Sequence, residues 1–173
     1  MTDQHTLAET ERAMRSRVSG LELDFEAAHA VSSIYRAANA VRGYVTNEVL
    51  RPAGLTWTGF VVMWVVWIWD GIETRRAAEA AAISKATLTG VVKTLESGGW
   101  IERRAGEEDR RLVELRLTAD GKALMEELYP RFNAIEARVV AGLSPSRQQS
   151  MTKSLRGIVT SIEDLAGTAY DDA

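Results

Sequence analysis

Apolar residues recur at helical spacing along most of this chain and alternate at strand spacing in one short region only. Val31, Ile34, Tyr35, Ala38, Val41, Val45 and Val49 predict a helix over 27–50, stopped by Pro52 and Gly54. A second helix is expected from a cap at Thr56 or Thr58 to Asp70 and Gly71, and a short alanine-rich third over 75–82. Ser84 caps a fourth, in which Leu88, Val91, Val92 and Leu95 form one apolar stripe. Gly98 and Gly99 supply the positive φ that ends it, and an extended run follows from Trp100 through Arg104. After the charged loop AGEEDRR, Val113, Leu115 and Leu117 alternate with Glu114 and Arg116, the period of a strand. Thr118 then caps a long helix to about Ala141, with Pro130 predicting a kink and Gly142 a stop. Ser144 and Pro145 open the last helix, striped by Met151, Leu155, Ile158, Val159, Ile162 and Leu165.

The outward face of the fourth helix is unlike an ordinary solvated surface. Ala86, Thr87, Thr89, Gly90 and Lys93 point away from the apolar stripe, and Gly90 sits in mid-helix at a cost of about 1 kcal/mol relative to alanine. Small residues let a helix approach base edges in a major groove, threonine methyls can meet thymine methyls, and hydroxyls and lysine can hydrogen-bond. The β-hairpin behind it carries Asp109, Arg110 and Arg111 at its tip, where arginine suits a narrow minor groove and Asp109 can orient a guanidinium. A plain surface helix followed by a charged hairpin in water is the alternative for each piece. Together they have the layout of a winged helix that reads DNA: a mainly α fold with a small β-hairpin wing.

LTWTGF from Leu55, the run from Arg75 to Arg103, the DRR at Asp109–Arg111 and LTADG from Leu117 resemble the MarR family of bacterial transcription regulators. The resemblance covers roughly 27–165. It implies a winged helix-turn-helix over 55–118, with DNA contacts from Arg75, Ser84, Lys85, Ala86, Thr87, Thr89, Gly90 and Lys93 and a wing shaped by Asp109 and Arg111. It also implies a helical dimerisation region built from 27–54 and 119–166, flanked by an N-terminal arm over 1–26, a frayed helix or a flexible segment, and a tail over 167–173. Two positions depart from the family pattern: many relatives carry Arg where this chain has Gly90, and a polar N-cap where it has Glu73.

Composition narrows the mechanism. A chain of 173 residues with 46% hydrophobic content suits one compact core, and a net charge of −3 means that DNA affinity has to come from local patches. The N-terminal stretch to Glu26 and the C-terminal Asp171 and Asp172 are net acidic, which leaves the reading head relatively basic. Without cysteine there are no disulfides, thiolate zinc sites or thiol oxidation, so the peroxide sensing of some MarR relatives is excluded. His5 and His29, even with Glu22, Asp24 and Glu26, read as a solvated segment rather than a zinc site. No phosphate loop or nucleophile–base motif points to an enzyme. The opening residues lack a signal-peptide core, and the apolar run from Phe60 to Trp69 falls short of the about 20 residues of a membrane span, so a cytoplasmic protein is expected.

Two expectations concern partners. The long amphipathic helices at both ends carry more apolar surface than a small head can cover, which predicts a homodimer presenting two reading helices to a near-palindromic site. In the second helix Trp57, Phe60, Trp64 and Trp67 lie broadly on one face while Trp69 turns away. They form either core or the aromatic wall of a pocket for a small aromatic effector; no other cofactor is implied. The expected function is a ligand-responsive dimeric repressor of transcription. A winged helix turned protein-interaction module is the competing class.

Overall fold

The computed structural model describes residues 6–18, 20–105 and 112–171, and the tip residues Asp109, Arg110 and Arg111 lie outside them, as does His5. The chain divides into two compact units between Ala40 and Val41.

In the first unit, α1 (Leu7–Arg17) occupies part of the expected arm. Its start is a capping box: Glu9 N–H donates to Thr6 Oγ1, and Thr6 N–H donates to Glu9 Oε2 at 2.7 Å. These bonds, first the Thr6 backbone N–H and then its hydroxyl, hold the Glu9 carboxyl below the usual glutamate range. Arg15 lies over the ring of Phe25, 5.3 Å from its centroid. There α2 (Phe25–Val45) begins, with Asp24 Oδ1 accepting from Ala27 N–H.

The end of α2 loosens as it approaches Pro52. A π-turn over Thr46–Leu50 passes into a 3₁₀ turn over Arg51–Ala53, and Gly54 closes it at φ 74°. Thr56 caps α3 (Trp57–Trp69) by accepting from Gly59 N–H. This helix is the centre of the second unit: Phe60, Val62, Met63, Val65 and Val66 are buried on it, each such side chain contributing about 1.5–3 kcal/mol. Asp70 at φ 45° and Gly71 at φ 122° then turn the chain out of the helix.

The wing is a three-stranded antiparallel sheet rather than the expected two-stranded hairpin. β2 (Ile101–Ala105) and β3 (Val113–Leu117) pair in register, Arg103 opposite Leu115, as the alternation of 113–117 predicts. β1 (Ile72–Glu73) adds itself to the other edge of β3, Ile72 opposite Leu115. Leu115 is thereby fully buried in the centre of the sheet. Between the strands lie α4 (Thr74–Ala80) and α5 (Lys85–Ser97), the helix-turn-helix pair, both packed on α3.

Thr118 caps α6 (Ala119–Val139), which runs through Pro130 as one helix and seats Met125 and Leu128 in the core. The last helix, α7 (Pro145–Asp171), starts where Ser144 Oγ accepts from Arg147 N–H. Its predicted stripe is uncovered: Met151, Leu155, Ile158, Val159, Ile162 and Leu165 are between 40% and 71% exposed. Among the described residues no single helix is long and apolar enough to cross a membrane, and no cluster of three or more His, Asp or Glu is placed to hold a metal ion.

Candidate nucleic-acid interface

The polarity of α5 is as sharp as its sequence predicts. Leu88, Val92 and Leu95 are buried, Val91 is half-buried, and Lys85, Ala86, Thr87, Thr89, Gly90 and Lys93 are exposed on the opposite side. A Cβ added at Gly90 would meet nothing within 4 Å, so the glycine is not a packing requirement of the fold. Its effect is to leave the middle of the exposed face low, where a side chain would hold a docking surface away.

Hydrogen bonds within the helix decide what its polar groups can offer. Ser84 Oγ accepts from Thr87 N–H at 3.1 Å and lies 2.9 Å from Thr87 Oγ1, so the cap also orients the Thr87 hydroxyl. Thr89 Oγ1 donates to the Lys85 carbonyl at 2.9 Å. Its proton is therefore engaged, and the groups it turns outward are a methyl and the remaining acceptor lone pairs. Lys85 and Lys93 flank these threonines with positive charge, the role that suits phosphate oxygens.

The far end of α5 is fixed by a Schellman motif. Gly99 N–H donates to the Glu96 carbonyl and Trp100 N–H to that of Leu95. Only Gly99 takes the positive φ expected of both glycines, at 75°; Gly98 is the C-cap and stays right-handed, since the motif places its one left-handed residue just after the cap. Thr118 N–H donates to the Trp100 carbonyl and Thr118 Oγ1 to that of Gly99, which ties α5, the wing and the start of α6 together.

The flanking elements supply more charge. Arg75, exposed in the first turn of α4, pairs with Glu79 at 3.0 Å. The cap position of that helix is Glu73, whose side chain makes no capping bond. Thr74 instead bonds the Val113 carbonyl at 2.8 Å, joining α4 to the wing. At the wing's stem Arg103 pairs with Glu96 at 3.3 Å and Arg104 with Glu102 at 2.6 Å. Arg103 and Arg104 were not among the sequence candidates, although their position one strand before a basic tip marks them.

Between α3 and α6, Trp57, Phe60, Val61 and Trp64 of the first and Tyr129, Phe132 and Glu136 of the second line a cavity of about 240 Å³. Trp67 lies beyond it, packed edge-on against Tyr129 at 5.6 Å, while Trp69 is exposed. The α6 half of the lining was missed in sequence, although its spacing at i, i+3 and i+7 places it on one helical face.

An exposed, small-residue helix preceded by a shorter one and followed by a β-wing defines a winged helix-turn-helix protein of the DNA-binding kind. A profile of the MarR family matches residues 55–113, the segment that contains all of these elements except β3 beyond its first residue. The chain is 36% identical over 140 residues to the HTH-type transcriptional regulator YwaE of Bacillus subtilis, covering 81% of this chain and 82% of that one. Its fold matches the Bordetella bronchiseptica regulator BpsR, whose DNA binding is regulated by 6-hydroxynicotinic acid, with a TM-score of 0.67 and 26% identity over 74% of this chain and 91% of the other. It also matches a mutant MarR of E. coli complexed with operator DNA, with a TM-score of 0.70 and 21% identity over 80% and 99% of the two chains. The chain belongs to the MarR family of transcriptional regulators.

Proposed function

We propose that this regulator is a homodimeric repressor that occludes a near-palindromic promoter site and is released by a small ligand. The observation that carries the reading is the exposed face of α5, on which Lys85, Ala86, Thr87, Thr89, Gly90 and Lys93 stand clear of a buried stripe. In this reading α5 enters the major groove, the wing with Asp109, Arg110 and Arg111 reaches the adjacent minor groove, and Arg75 contacts the backbone. The uncovered stripe of α7 supports a second subunit, since contiguous apolar surface of that length is what an interface buries. Two subunits then place their α5 helices in successive major grooves, about 34–36 Å apart.

Effector control rests on the cavity between α3 and α6, which holds Trp57, Phe60 and Trp64 of the predicted aromatic set. A ligand there shifts the protein off DNA only if it binds the released geometry more tightly than the bound one. Regulation of the DNA binding of BpsR by 6-hydroxynicotinic acid is consistent with such control. Gel-shift and footprinting assays on the DNA upstream of its own gene test the proposal. They should find one protected, near-symmetric site whose affinity falls steeply with salt as counterions are released. Binding that is weak and indifferent to sequence would remove the repressor reading.

A further inference from the structure

We propose that the α3–α6 cavity selects a small organic cation bearing an aromatic ring, rather than an aryl carboxylate. The inference rests on the effector reading above and specifies the ligand's charge. Its walls are aromatic: Phe60 and Phe132 stack with centroids 4.6 Å apart, Trp57 tilts against Phe132 at 6.2 Å, and Tyr129 lies nearly parallel to Phe132. Ring faces carry negative potential and attract cations within about 6 Å of the centroid. Trp57 already does so, with the Arg42 guanidinium 5.6 Å from its ring centre.

The lining itself carries charge of one sign. Among the described lining residues Glu136, exposed at the rim, is the sole charged side chain, and Asn133 Nδ2 donates to its Oε2 at 3.0 Å. Oε1 takes no hydrogen bond from the described residues and is left for a positive or N–H-bearing ligand. A carboxylate ligand would meet π faces and a like charge, and no lining cation would offset its lost hydration. The volume, about 240 Å³, is below the roughly 300 Å³ at which pockets for drug-sized molecules begin, so one ring with a compact cationic head fits.

Tryptophan fluorescence of the full-length protein can be titrated with phenyltrimethylammonium, with tert-butylbenzene, its neutral isostere, and with benzoate. The cation should bind about tenfold more tightly than the isostere, and benzoate more weakly than both. Glu136→Gln should abolish the preference, while Glu126→Gln, the same charge change elsewhere on α6, should keep it. Equal or tighter binding of the neutral compound or of benzoate overturns the charge selection and leaves the pocket standing. A cation preference that survives Glu136→Gln overturns it too. Failure of all three to bind overturns both the selection and the pocket. Saturable cation binding with no effect on the protein–DNA complex sustains the selection and removes the effector role.

Discussion

Gly121 packs so closely on the Trp100 carbonyl that a Cβ at this position would collide with the Trp100 oxygen and carbonyl carbon. The obstacle is backbone, which cannot swing aside as a side chain would. Gly121 N–H donates to Thr118 Oγ1, and Thr118 in turn bonds the carbonyls of Gly99 and Trp100. The first turn of α6 is thus fastened to the end of α5. Gly121→Ala should lower stability by about 3 kcal/mol or more, read from the urea midpoint, and weaken DNA binding by displacing the recognition helix. Wild-type stability in that variant would mean that the junction has slack.

Ala82 is the opposite case, an exposed alanine held at φ 52° in the turn between α4 and α5. A Cβ in the left-handed region costs roughly 1–2 kcal/mol. Ala82→Gly removes that strain and adds back some chain entropy in the unfolded state, so a net gain of about 0.5–1 kcal/mol is expected. The urea midpoint should rise with an unchanged slope.

The legible parts of this fold are those whose cause is local. Ser84 and Thr118 cap their helices through bonds three residues long, and the α5 stripe repeats within two turns, so a reader of the sequence meets cause and effect together. β1 escapes because Ile72 and Glu73 carry no alternating pattern of their own and become a strand only against Leu115 and Glu114. The choice between Gly98 and Gly99 as the left-handed residue depends on where the last helical hydrogen bonds fall, with Gly99 N–H on the Glu96 carbonyl and Trp100 N–H on that of Leu95, and the pair of glycines alone does not fix that point. Trp57, Phe60 and Trp64 are recognisable as one helical face, but their service as a cavity wall depends on Tyr129, Phe132 and Glu136 from a distant helix.

If α5 and the wing hold DNA as proposed, charge on their surface should position the protein without reading bases. Lys93→Ala should weaken binding to specific and unrelated DNA alike and reduce the salt slope by about one, the signature of a lost phosphate contact. Arg111→Ala should do the same from the wing. If affinity and slope are unchanged in the Arg111 variant, the wing does not contact DNA.

Thr89 offers a finer test, because its hydroxyl proton is committed to the Lys85 carbonyl. If its methyl packs on a thymine, Thr89→Val should bind nearly as well as the native protein. Thr89→Ser, which keeps the hydroxyl and loses the methyl, should cost about 0.8 kcal/mol, or roughly fourfold, at sites with that thymine. The reverse order, Val impaired and Ser unaffected, would assign the contact to the acceptor lone pairs.

The last prediction concerns α7, where Ile158 is 40% exposed between Leu155 at 40% and Ile162 at 59%. These residues recur at i, i+3 and i+7, so they form one continuous stripe rather than scattered surface hydrophobes. Ile158→Glu places a charge in the middle of that stripe. If the stripe is the subunit interface, the charge has to be buried without a partner, and the dimer should dissociate at micromolar concentration in sedimentation experiments. The second unit keeps its core of Val62, Met63, Leu88 and Met125, none of which lies on α7, so the far-ultraviolet spectrum of the reading head should persist. Affinity for a two-half-site DNA should then fall towards that for a single half-site, because the second head is no longer held at high effective concentration. A variant that stays dimeric would place the interface elsewhere on the chain.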